Sequence, residues 1–236
     1  MNSLPQPALG AIERNETLTE RVVSKLRKAL MDGAFVPGQL IKIRDVAKAL
    51  NVSPTPAREA LAILIAEGVL LTADTNKSAM VPPLTADNLR EITELRVALE
   101  CVAASAAFEN VTDEDITLLE RIQAEVRQAT NDDDVKGTLE SNAAFHSTLY
   151  ERSNKPLIIK MIETVWLRSG AYLRTAYPMY GRLRKGLNNH DQIIQSLKER
   201  NLNALRAAIE KDIRDSSEHL FEQLQPHFAK ADRPFL

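Results

Sequence analysis

The chain has 236 residues, a formal net charge of −2, and 44% hydrophobic but only 5% aromatic side chains. That length predicts two domains of unequal size, and the Ala/Leu/Ile/Glu/Arg-rich composition predicts a mainly helical fold with little sheet. The single Cys101 excludes an internal disulfide, no segment approaches the ~20 apolar residues that cross a bilayer, and no basic-then-apolar leader opens the sequence; a cytoplasmic protein with no membrane role is expected.

Residues 1–16 contain Pro5, Pro7 and Gly10 with little periodicity and read as a flexible arm. A first domain is expected over 17–82. Its first helix runs from Thr19 to Met31 with Val22, Leu26, Ala29 and Leu30 on one face, and stops at Asp32-Gly33 before the turn Val36-Pro37-Gly38. A short helix, Val46 to Leu50, is followed across Asn51-Val52 by Ser53-Pro54-Thr55-Pro56-Ala57-Arg58-Glu59-Ala60-Leu61. Ser53 and Thr55 are both good N-caps, and each precedes a proline whose missing N–H costs nothing in a first turn, so a helix begins here. The spacing is that of a helix-turn-helix whose second helix enters the major groove by its N-terminal residues. Val69 to Thr72 and Ala79 to Val81 then read as two β-prone runs around the polar residues 74–77, which makes the unit a winged helix-turn-helix.

Charge agrees weakly: the first 80 residues carry ten basic and eight acidic side chains, the remainder 20 and 24. Pro82-Pro83 breaks the chain, and a second domain is expected over 83–230. It reads as six helices, about 85–109, 113–130, 134–152, 156–176, 181–199 and 201–224, with Tyr177-Pro178 ending the fourth and short connections favouring an antiparallel bundle.

Polar residues fall on apolar faces of that bundle. At 100° per residue His146 lies in the stripe Leu139, Ala143, Tyr150 with Asn142 on its flank; His190 lies among Leu183, Leu187, Ile194 and Leu197; Asp212 lies at the edge of the stripe Leu205, Ile209, Ile213. Imidazole and carboxylate are ligands for zinc and other divalent first-row metals, although a buried histidine also serves as a hydrogen-bond partner. Arg96 falls between Leu89, Ile92, Leu99 and Ala103, and a buried guanidinium requires a partner: Glu100 at i+4, or the carboxylate of a ligand. Arg168, Tyr172 and Arg174 are candidates to extend such a pocket, and Cys101 reads as a small apolar residue.

These stretches resemble the GntR family of bacterial transcription regulators, in the FadR-like branch with an all-helical C-terminal ligand domain called FCD. The resemblance rests on Val36-Pro37-Gly38-Gln39-Leu40, Ser53 to Leu61 and Glu67-Gly68-Val69-Leu70, then on Arg96 to Glu100, Asn142 with Phe145-His146, His190 with Ile193-Ile194, and Ala207-Ala208. It implies that Arg44 and Arg58 contact phosphate or base edges, that Thr55 lies close to the DNA backbone with Ser53 also among the DNA-binding residues, and that the wing around Lys77 reaches the minor groove. Pro54 stands where some relatives have arginine, and Ser78 where the wing often has glycine. In the second domain it implies a divalent metal, zinc or nickel, held by Asn142, His146, His190 and Asp212; Asn142 replaces an acidic ligand and Asp212 a usual histidine, which predicts lower affinity or altered selectivity. His219, two turns beyond Asp212, is too far along the helix axis, at roughly 10 Å, to take its place.

The expected protein is a homodimer that binds a palindromic double-stranded operator and senses a small carboxylate near Arg96. Two alternatives stand beside it: a DNA-binding regulator with no effector, and a metal-dependent hydrolase built on His146, His190 and Asp212. The second lacks any H-E-x-x-H, nucleophile elbow or phosphate loop, so the chain is expected not to be an enzyme.

Overall fold

The computed structural model describes residues 16–73, 77–83, 85–183 and 185–231, with 171–183, 185 and 224–231 described by their backbone alone. Nearly all of the expected arm, the wing tip 74–76 and the side chains of Tyr172 and Arg174 lie outside the described residues.

The N-terminal unit begins with α1 (Leu18–Met31). Thr17 caps it through a reciprocal pair: its hydroxyl accepts from the Glu20 N–H, and Glu20 Oε2 accepts from the Thr17 N–H at 2.7 Å. Strand β1 (Leu40–Lys42) leads into α2 (Ile43–Leu50); Asn51, in the left-handed region at φ 51°, turns the chain into α3 (Pro54–Ala66). Strands β2 (Leu71–Thr72) and β3 (Ser78–Met80) complete an antiparallel sheet in the order β1-β3-β2, with Ile41 opposite Ala79 and Thr72 opposite Ala79 on the other side.

Four details differ from the sequence reading. Strand β1 was not anticipated, because three residues with one buried side chain give no usable period; it exists through its pairing with β3. Val69 and Leu70 are core residues rather than strand: both N–H groups bond the Leu64 carbonyl as α3 unwinds, which shortens β2. Helix α2 starts at Ile43, which is buried with Val46 and Ala47 as i, i+3 and i+4. Of the two candidate caps of α3, the chain uses Ser53, and its hydroxyl makes no cap bond. The N3 residue that would donate to it is Pro56, which has no N–H.

The C-terminal unit is a bundle of α4 (Ala86–Phe108), α5 (Asp113–Asn131), α6 (Val135–Glu151), α7 (Pro156–Leu183), α8 (Lys185–Lys198) and α9 (Leu202–Ala231). Thr85, Thr112 and Asp134 cap α4, α5 and α6 through their side-chain oxygens. Phe145, Leu149, Ile193, Leu205, Ile209 and Ile213 are wholly buried at its centre. Tyr177-Pro178 does not end α7, which continues to Leu183. Proline removes one backbone bond, and the residue before it is biased away from helix rather than barred from it.

The two units share a core. Leu26 and Leu30 of α1 belong to one apolar cluster with Leu89, Leu167 and Leu220 of the bundle. The backbone of α1 also rests on α7 at Gly170, where a Cβ would come within 2.7 Å of the Leu30 carbonyl oxygen.

Candidate functional site

Three expected ligands meet at one point in the bundle. His146 (α6), His190 (α8) and Asp212 (α9) are all buried, and one ligand atom from each lies within 4.8 Å of the others. His190 Nε2 is 3.2 Å from His146 Nε2, which is 3.3 Å from Asp212 Oδ2. Tetrahedral zinc with bonds of ~2.0–2.1 Å spaces its donors about 3.3–3.4 Å apart, close to these two separations, and imidazole and carboxylate are donors that a first-row divalent ion accepts. Burial pushes the Asp212 carboxyl up, but His146, His190 and Arg96 outweigh it and hold it below the usual carboxylate range. Burial lowers His190 to about 4, so at neutral pH its ring is uncharged and carries a lone pair.

The surroundings decide where that lone pair points. Gln123 Nε2 donates to the Leu187 carbonyl at 2.9 Å and to Asp191, which turns Gln123 Oε1 towards His190 Nδ1 at 2.8 Å. His190 therefore carries its proton on Nδ1 and aims Nε2 at the centre. For His146, Nδ1 faces the Tyr150 hydroxyl at 3.3 Å, and that hydroxyl donates to Glu100 at 2.9 Å, leaving only a lone pair for the imidazole. A neutral His146 can donate to Tyr150 or to Asp212, not to both.

Glu100 is a fully buried carboxylate that accepts from Arg96 Nε at 2.7 Å, Trp166 Nε1 at 2.9 Å and Tyr150. Burial disfavours the Arg96 charge, and Glu100 more than offsets that. Arg96 pairs with Glu100, the first of its two expected partners, and it also lines a cavity with Asn142, His146, Trp166 and Asp212. His219 is buried and lines this cavity too, yet stands outside the three-residue cluster. Cys101 is buried, with its thiol 3.8 Å from the Arg206 carbonyl oxygen. The sequence reading missed Glu100 as a hub and Gln123 as an orienting group. The signal for Gln123 was available, since it lies on the α5 face with Ile116, Leu119 and Val126.

A second feature lies on the N-terminal unit. Arg44, Arg58, Lys42 and Lys77 line one exposed groove with Pro54 and Ser78, and among the described residues no acidic side chain is part of its lining. Arg44 projects from the first turn of α2 and Arg58 from the exposed face of α3, while Lys77 enters the wing. Ser53 and Thr55 are exposed at the start of α3 but are not part of the groove wall. Glu59, the nearest acidic neighbour of Arg58 in sequence, accepts instead from the Thr19 hydroxyl at 2.6 Å.

Residues 18–80 match the bacterial regulatory proteins of the gntR family, and residues 91–215 match the FCD domain. The chain belongs to the GntR family. It is of the FadR-like kind, with the FCD domain C-terminal to the DNA-binding domain. It is 29% identical over 89% of its length to 96% of the HTH-type transcriptional regulator McbR of Escherichia coli, and 28% identical over 86% to 90% of the uncharacterized HTH-type regulator YdhC of Bacillus subtilis. The solved structure of E. coli McbR/YncC superposes with a TM-score of 0.83 over 89% of this chain and 99% of that one. A GntR regulator from Rhodococcus, 22% identical with a TM-score of 0.70 over 86% of this chain and 97% of that one, shares the fold. These relatives are DNA-binding transcription regulators, not enzymes, and the hydrolase alternative falls with that finding. Among the described residues no helix is long and apolar enough to cross a membrane.

Proposed function

We propose that the protein is a homodimeric, metal-dependent sensor of a small carboxylate that regulates transcription in the cytoplasm from a palindromic operator. The observation that carries this reading is the buried cluster of His146 Nε2, His190 Nε2 and Asp212 Oδ2, whose spacing suits zinc or nickel. A cation at their centre satisfies all three and frees the His146 proton for Tyr150. Asn142 lines the same cavity as an amide, a weaker ligand than a carboxylate, and adds a neutral contact. A metal held there would supply a Lewis-acidic point for a carboxylate oxygen. Arg96, held by Glu100 on its Nε edge, presents the remainder of its guanidinium to the same ligand.

DNA binding falls to the basic groove, with Arg58 and Arg44 reaching base edges or phosphate, Lys77 following the wing, and Ser53 and Thr55 against the backbone at the helix start. Effector binding favours one placement of the two heads, and the coupling equals its difference in affinity between the two states. The reading is tested by elemental analysis of purified protein together with a thermal-shift screen of carboxylates with and without zinc or nickel. A metal-dependent carboxylate shift is expected. Failure of every metal and carboxylate to move the melting temperature would instead favour a regulator whose bundle only dimerises.

A further inference from the structure

The cavity lined by His146 and Asp212 is not built by the bundle alone. Met31, the last residue of α1 in the DNA-binding domain, is part of its wall. Met31, Leu139 and Ala143 also line an outer cleft between α1 and α6, together with Lys28, Asp32 and Glu140. These three apolar side chains therefore form the wall shared by the cavity and the outer cleft, and the Lys28–Glu140 ion pair at 2.8 Å lies along that cleft. Both of its partners are more than two-fifths exposed, so the pair is a weak latch. The seat of this wall is close: α1 meets α7 at Gly170, with the Leu30 carbonyl and Met31 Cα against it.

The cavity is thus two-faced. Arg96, His146 and Asp212 give its wall charged groups, and Met31, Leu139 and Ala143 give it apolar surface on the side shared with the outer cleft. A ligand that meets both surfaces carries a carboxylate at one end and an apolar group at the other. We propose that the effector is such an amphiphilic carboxylate, and that Met31 of the DNA-binding domain sets how long its apolar part can be. This rests on the carboxylate reading above and adds to it the tail and the contact with the head. A chain that outgrows the cavity meets Met31 first and displaces α1 from its seat, so effector and DNA head are in direct contact rather than linked through a relay.

Trp166 is the sole tryptophan and lines the cavity, so its fluorescence in the full chain reports occupancy. Zinc-loaded wild type and Met31→Ala are titrated with straight-chain carboxylates from acetate to octanoate. In wild type, affinity should rise by about fourfold per added methylene and then level off where the tail reaches Met31. In Met31→Ala the levelling should come at a longer chain. Hydrogen exchange of the wild type gives a second readout, and saturating hexanoate should change protection at residues 28–33. Should Met31→Ala fail to fold, that readout decides alone. An identical chain-length profile in both proteins, or unchanged exchange at 28–33 with hexanoate bound, overturns the role of Met31 and leaves the sensor site standing. No response of Trp166 to any carboxylate in either protein overturns the carboxylate reading and this inference with it.

Discussion

Glu100→Gln is the substitution with the most calculable consequence. The side chain is fully buried and accepts from three donors: Arg96 Nε, Trp166 Nε1 and the Tyr150 hydroxyl. Glutamine keeps the volume but removes the charge that balances Arg96, whose side chain is only 12% exposed. It also turns an amide N–H₂ towards at least one donor. Breaking a buried pair in this way costs about 3–5 kcal/mol, and the open edge of Arg96 on the cavity places this case near the lower value. At roughly 2–4 °C per kcal/mol for a chain of this size, the melting temperature should fall by ~6–12 °C. Thermal unfolding followed by circular dichroism at pH 7 reads the stability, and Trp166 emission should change at the same time because its N–H loses a charged acceptor. A variant that melts within a degree of wild type would refute the claim that Glu100 holds the charged part of the cavity wall together.

Other substitutions separate the parts of the site. Gln123→Met removes the acceptor that fixes the His190 tautomer, and zinc affinity by competition with a chromogenic chelator should drop about 10–100-fold. Arg58→Ala should abolish preference for the operator over random DNA in gel-shift titrations without lowering the melting temperature, whereas Lys77→Ala should reduce the salt dependence of binding by about one phosphate contact. Asp115 completes the capping box of α5 by accepting from the Thr112 N–H, and it pairs with Arg152 at 2.6 Å. Burial pushes its carboxyl up, but the Thr112 N–H and Arg152 outweigh burial and hold it below the usual carboxylate range. Its contribution is therefore present above the unfolded value and lost as pH falls through the lowered one. Asp115→Asn should destabilise at pH 7, with the gap to wild type closing towards pH 2 in urea melts.

Much of this was legible because each clue is local. Proline-flanked Ser53 and Thr55 announce the start of α3, and the 3.6-residue period carries His146, His190 and Asp212 inward before any fold is known. What stayed hidden depends on contacts distant in sequence. Strand β1 is a strand only because Met80 and Ala79 lie beside it. Glu100 looked like an intrahelical partner of Arg96, and its role as a hub needed Tyr150 and Trp166 from two other helices. Met31 closes its own helix by every sequence criterion, and only the packing of α1 on α7 makes it part of a cavity in the other domain.

The most direct test of the account is the metal content of the purified wild-type protein and of His190→Ala, measured by mass spectrometry after saturation with zinc and gel filtration. The account predicts one retained ion per wild-type chain and none in the variant, with both folded. Equal zinc in the two proteins, or none in either, would contradict it.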